Sequence, residues 1–197
     1  MNLRTRLITD EMARHRVQFE HLCRSLDQAE LATAIPGSHW NVKDYIAHLC
    51  TIDALIAAGF SPMVGRTAPA PDVPLPQPFD IDDWNEAIVR NRQQASVDEL
   101  LAEGAVHRAN MVAAIEAMTD QHLDQVIPYG GDRRTLGLAP TPVRFGGLLW
   151  GIAIHDPNHT GDIIRALPHR GEEPWVSEWL MSVNDSLVPQ GVRDQRV

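Results

Sequence analysis

His155 and His159 stand four residues apart in a stretch that reads as helix. At that spacing both imidazoles project from one helix face, about one turn apart. A helix uses this arrangement to offer two nitrogen ligands to one metal ion. Spacing alone is a weak signal, and the surroundings strengthen it. The pair follows the apolar run Leu148, Leu149, Trp150, Ile152, Ala153 and Ile154, where two unpartnered imidazoles would carry a desolvation cost. His48 interrupts the apolar face of an earlier helix in the same way. A lone histidine there is ordinarily a core residue satisfied by a neighbour. Three of them on two core-lining helices make a shared metal ion the more economical reading. Three neutral imidazoles leave one or more coordination positions open for water or substrate. They do not choose among zinc, nickel, copper and iron.

Other residues are weaker candidates. Asp44 lies one turn before His48 and fits two roles, orienting that imidazole or capping its helix. His15 falls in a helical seam, where a packed or half-exposed histidine is the ordinary outcome. Asp162, one turn beyond His159, is a candidate for a solvent or substrate contact, though a polar residue near a helix end needs no function. His21, His39, His107, His122 and His169 read as surface or loop residues. Cys50 follows His48 by two positions and points about 200° away around the helix, which disfavours it as a ligand. Trp40 and Trp150 could wall a pocket, with core packing as the default.

The elements that must position these residues are helical. Ile8, Met12, His15, Phe19, Leu22 and Leu26 step by fours and threes along one face of a long first helix. Ile35-Pro36-Gly37-Ser38 breaks the chain. Asn41 with Asp44 three residues on forms a capping signature for a second helix. That helix carries Tyr45, His48, Ile52, Leu55 and Ile56 on one face and fades near Gly59. Pro62, Pro69, Pro71, Pro74, Pro76 and Pro78 make residues 61–80 an extended, polyproline-like crossover. Asp80 to Asn91 reads as a short helix. Ser96 and Glu99 form a capping box that opens a third long helix, with apolar positions at Val97, Leu101, Met111, Ile115 and Met118. Residues 119–141 are loop-rich. Thr141-Pro142 then offers a cap followed by proline at the first helical position, which predicts a fourth helix from there to about Leu167. Trp175 and Trp179 mark a short helix in a tail. The division expected is a bundle over residues 1–167 and a tail over 168–197 packed on it.

The acidic balance, 26 acidic against 17 basic residues, argues against a nucleic-acid partner. Nothing approaches about 18 consecutive apolar residues, so no spanning helix is expected. Met1-Asn2-Leu3-Arg4 lacks the apolar run of a secretory signal. Two cysteines, Cys23 and Cys50, are too few for a disulfide scaffold. A cytoplasmic protein with reduced thiols, without a membrane, is the expectation.

Two segments carry a family resemblance. Trp40-Asn41-Val42-Lys43-Asp44-Tyr45-Ile46-Ala47-His48-Leu49 resembles the W-[ST]-x-x-[DE]-x-x-x-H-[LIV] segment of the DinB/YfiT-like metalloenzymes. His155-Asp156-Pro157-Asn158-His159-Thr160-Gly161-Asp162-Ile163 resembles their H-x-x-x-H-x-x-[QED]-[IL] segment. Asp83-Trp84-Asn85-Glu86 and the Ser96 capping box also look like that superfamily. The resemblance implies an all-α four-helix bundle with up-down-down-up connectivity and a homodimer. It also implies a three-histidine site, here His48, His155 and His159, for a divalent ion such as zinc or nickel. Relatives of this kind include transferases and isomerases that use a low-molecular-weight thiol. The chain departs from the pattern at Pro157, which removes a helical hydrogen bond and tends to kink the helix. A mild kink keeps the two imidazoles together. A restart with Asp156 as cap and Pro157 as first residue lets them diverge. The resemblance favours the mild kink.

Two functions remain open. In the first, an enzyme acts on a small-molecule substrate, the metal acidifying a thiol or water. No protein nucleophile or dedicated base accompanies the histidines, so no catalytic residue is assigned. In the second, a non-catalytic stress-response bundle binds a metal or a small molecule. Three ligands with an open position favour the enzyme, and a closed four-ligand site the binding module.

Overall fold

A computed structural model describes residues 2–74, 80–129, 137 and 139–185 of the chain. Side-chain caps set where its helices begin. Asn2 accepts the Thr5 N–H at 2.8 Å and starts α1, Leu3–Ser25. Asp27 and Glu30 cap each other at the one-turn helix α2, Gln28–Leu31. Asn41 and Asp44 do the same for α3, Val42–Phe60. Asp80 accepts from Asp82 and Asp83 to open α4, Ile81–Arg90. Ser96 and Glu99 form the box that opens α5, Val97–Glu116. Each such cap contributes about 1 kcal/mol by satisfying amide groups the helix cannot. A short α6, Asp120–Leu123, follows.

The described part of the chain is mostly helical. α3 runs along α5, while α1 lies against α5 and against the helices that follow residue 144. A β-carbon on Gly104 of α5 would meet Cys50 Cβ of α3 at 3.0 Å, so glycine permits this close approach. The seam predicted for the first helix is buried at Ile8, Met12, His15, Phe19 and Leu22. Two apolar clusters share the long helices. One gathers Phe19, Leu49, Leu101 and Ile163 with Trp84 of α4. The other gathers Met12, Ala57, Met111 and Ala153.

The predicted fourth helix does not run from 141 to 167. Val126–Tyr129 (β1) and Thr141–Arg144 (β2) pair as an antiparallel ribbon, with Pro128 opposite Pro142. Proline is tolerated on edge strands, and in a ribbon of two both strands are edges. Helix then forms in two pieces, α7 at Phe145–Ala153 and α8 at His155–Ala166, with Ile154 between them. The crossover also opens differently: Ser61–Val64 is a 3-10 turn ended by left-handed Gly65 (φ 66°). Pro76, Pro78, Gly130 and Gly131, all read as connection or loop, lie outside the described residues.

Over Val42–Val64 the mean hydropathy reaches 1.4, long and apolar enough by composition alone to cross a membrane, which an uninterrupted-run criterion misses. In the fold 61% of that window is buried inside the protein. After α9, Pro168–Gly171, the chain forms α10, Pro174–Asp185, which packs on α1 and α8. Trp179 of α10 is buried and its Nε1 donates to His15 Nδ1 at 2.8 Å. Arg170 secures the approach through both oxygens of Glu30, at 2.6 and 2.8 Å. That grip holds the Glu30 carboxyl down at about 2. Residues 186–197 of the predicted tail lie outside the described residues.

Candidate metal centre

The break before α8 decides the geometry of the histidine pair. His155 is the first residue of α8 and Pro157 the third. The first amides of any helix lack an intrahelical partner, so a proline there forfeits nothing. The ladder resumes when the Asn158 N–H donates to Ile154 O at 3.2 Å. The helix therefore restarts, but two residues earlier than a start capped by Asp156 would have it. Both histidines lie inside the new helix and keep their i, i+4 relation, with ring centroids 4.5 Å apart. A mild kink in a continuous helix is not what forms.

His48, near the middle of α3, meets them from across the interface. Its ring centroid lies 5.5 Å from that of His155 and 5.3 Å from that of His159. One ligand nitrogen from each residue can be chosen such that all lie within 4.8 Å of one another, a group that could hold a metal ion. Nitrogens around a tetrahedral zinc stand about 3.3 Å apart, given bonds of about 2.05 Å, so small side-chain rotations close the set. A further observation fits a cation. The pocket keeps two of the imidazoles neutral: burial, then the neighbouring His155 and His159, hold His48 well below its usual range. Burial, His159, Arg108 and Arg16 push His155 down to about 3. Neutral imidazole is the form that binds a metal.

Around these rings stand groups that shape the pocket. His159 Nδ1 lies 3.0 Å from Asp162 Oδ2. An N–H donated to that carboxylate leaves Nε2 bare as a ligand. Asp162 is thus a partner of His159. Tyr45 meets the His159 ring edge-on at 5.5 Å, and Trp40 lies 5.5 Å from His48, so Trp40 does wall the site. Trp150 belongs to the second apolar cluster instead. Asp44 is a capping residue: Oδ2 accepts the Asn41 N–H at 3.0 Å and Oδ1 accepts from Gln93. His15 has both ring nitrogens engaged, by Trp179 and by Glu11 at 3.0 Å, away from the site. His107 is not a loop residue; it is half-buried on α5 with Nδ1 3.1 Å from Cys50 O.

The sequence profile of the DinB superfamily matches residues 11–163. The chain belongs to the DinB superfamily. Among curated proteins and among solved structures, nothing matches it.

This DinB-superfamily chain also buries a charge network that sequence reasoning missed. Arg16 of α1, Asp53 of α3, Arg108 of α5 and Asp156 of α8 are each 1–8% exposed. Arg16 Nη2 donates to Asp156 Oδ1 at 3.0 Å and to Leu49 O at 3.1 Å. Arg108 donates through Nη2 to both Asp156 oxygens, at 3.1 and 3.2 Å, and through Nε to Asp53 at 2.5 Å. Burial raises the Asp53 carboxyl against the pull of Arg108 and Arg16. Two charges of each sign thus form a polar layer between the two apolar clusters. Three of them follow a buried residue of their own helix by four positions (Met12, Leu49, Gly104), a signal that was available in the sequence. The layer grips the residue next to His155 and so fixes the first turn of α8, which has no side-chain cap.

Neither cysteine is set up for chemistry. Burial pushes the Cys50 thiol up to about 12 and raises Cys23 well above its usual range. Thiolate is the reactive form. The native protein is therefore expected to resist a thiol-specific reagent at pH 8 and to react at both cysteines once unfolded. Rapid labelling of the native state would contradict this burial.

Proposed function

We propose that this chain is a divalent-metal-binding protein whose ligands are His48, His155 and His159, and that it is a metal-dependent enzyme of the thiol transferase or isomerase class, or a hydrolase. The observation that carries the reading is the convergence of three imidazoles from α3 and α8, two of them held neutral by their surroundings. Bound there, zinc or nickel would supply Lewis acidity and lower the pKa of a coordinated thiol or water.

The chain's own residues supply orientation and a dry wall. Asp162 aims His159, the buried charge layer seats His155, and Trp40 and Tyr45 shield the rings on the α3 side. Three imidazoles without a fourth histidine, cysteine or carboxylate in the group, among the described residues, support an open coordination position and hence an enzyme. The preference for a low-molecular-weight thiol rests on the superfamily.

The finer architecture belongs to the same proposal. α1, α3, α5 and the α7–α8 pair make a four-helix bundle, up-down-down-up. The long connection between α3 and α5 gives the second and third helices length to run parallel. A homodimer in the cytoplasm, acting on a small molecule, completes the reading. Its test is metal uptake. Metal-free protein offered zinc or nickel and then dialysed is expected to retain one equivalent by elemental analysis. No stoichiometric retention of either ion overturns the proposal.

A further inference from the structure

His48 poses a question that the metal reading leaves open. A neutral imidazole carries one N–H and one bare nitrogen, and which nitrogen is bare depends on what accepts the N–H. For His159 the acceptor is Asp162. For His48 no carboxylate plays that part among the described residues. The ring is buried and its Nδ1 has no partner among the described residues. Asn85 of α4 has a buried Oδ1 that likewise has none. The Asn85 side chain stands within hydrogen-bonding reach of the His48 ring. Buried donors and acceptors without partners are rare in native proteins, and two of complementary type side by side satisfy one another.

The neighbours of Asn85 hold it in place. Trp84 is fully buried and its Nε1 donates to Val73 O at 3.3 Å. On the other side Glu86 accepts from Trp40 Nε1 at 2.8 Å, and Trp40 is the ring that packs beside His48. Asn85 is thus fixed between two anchored residues, facing the site from an element that supplies no metal ligand. An amide oxygen suits this role, because it accepts an N–H without adding a negative charge that would draw a second proton onto the ring.

We propose that Asn85 is a positioning residue for His48, its Oδ1 accepting the ring N–H so that the other ring nitrogen is left bare toward His155 and His159. This rests on the reading of the three histidines as metal ligands. This hydrogen bond needs no ion in order to form, so the two claims are separable.

The test uses the full chain. In metal-free protein, nitrogen-resolved NMR of the histidine side chains is expected to show His48 as one neutral tautomer. Asn85→Ala turns that signal into a tautomer mixture and weakens zinc binding about 10- to 100-fold, the usual effect of losing an outer partner of a ligand. Asn85→Gln, which keeps a neutral amide oxygen as acceptor, restores the single tautomer and part of the affinity. A tautomer signal and zinc affinity unchanged in Asn85→Ala, with the fold intact by circular dichroism, overturn the assignment. A tautomer shift in a parent chain that takes up no zinc upholds the Asn85 hydrogen bond and overturns the metal reading instead.

Discussion

Replacing His155 or His159 by alanine is expected to abolish retention of a divalent ion through dialysis while leaving the helical content unchanged. Structural four-ligand zinc sites bind with about 10–16 kcal/mol, so one ligand contributes about 3 kcal/mol, or roughly 100-fold in Kd. A site with only three protein ligands has less to spare. The fold survives because neither side chain fills an apolar cluster; both are only half-buried. The two variants differ in a second respect. The folded-state pKa of His155 is depressed to about 3 against an ordinary 6.5. Below about pH 6.5 the unfolded imidazole takes up a proton that the folded one refuses, so the metal-free fold loses stability as pH falls from there toward 3. His155→Ala removes that proton uptake and should flatten the loss of thermal stability between pH 7 and pH 5. Retention of metal by both variants would refute the ligand assignment, and an unchanged acid dependence would refute the neutral His155.

Asp156→Ala is expected to be the most destabilising single substitution in the interior, at about 3–5 kcal/mol, the usual result of removing one partner from a buried ion pair. Arg16 and Arg108 both donate to this carboxylate, and without it Asp53 alone faces two buried guanidiniums. Arg16 Nε and Arg108 Nη1 are already buried without partners among the described residues, so the network has no reserve acceptor. For a chain of this length the loss corresponds to a fall in Tm of about 10 °C. Asp156→Asn keeps acceptor oxygen and size but not charge, and should fall between parent and alanine. A surface pair gives the contrast: Arg6 and Asp10, 3.5 Å apart and both about two-thirds exposed, should contribute almost nothing. Denaturant unfolding of these variants is the measurement, and an Asp156→Ala protein within about 1 kcal/mol of the parent would remove the network from the account.

What could be read from the sequence was local. The capping pairs Asn41/Asp44 and Ser96/Glu99 act through neighbours three residues away, and both helices start where those pairs predict. The α1 seam and the His155/His159 spacing are equally short-range. Thr141-Pro142 shows the limit, since threonine and proline suit a helix start and an edge strand alike. What decided between them was β1, fifteen residues upstream of Thr141 at its first residue, Val126. The charge layer escaped for a related reason. Arg16, Asp53, Arg108 and Asp156 each resemble an ordinary solvated charge until the partner of opposite sign is brought over from another helix. Asn85 was visible only as part of a family segment, because its role depends on facing His48 across the proline-rich crossover.

The interruption at Ile154 has a consequence for how such a chain can change length. One residue added to an unbroken helix turns everything beyond it by about 100°, which would swing a pair of ligands off target. Here α8 starts its own count at His155 and takes its bearing from the arginines on Asp156, not from the winding of α7. Insertions and deletions in the ribbon and in α7 should therefore be absorbed at the interruption. Loop grafting ahead of residue 154 would then be a practical way to reshape the upstream half without re-aiming the histidines.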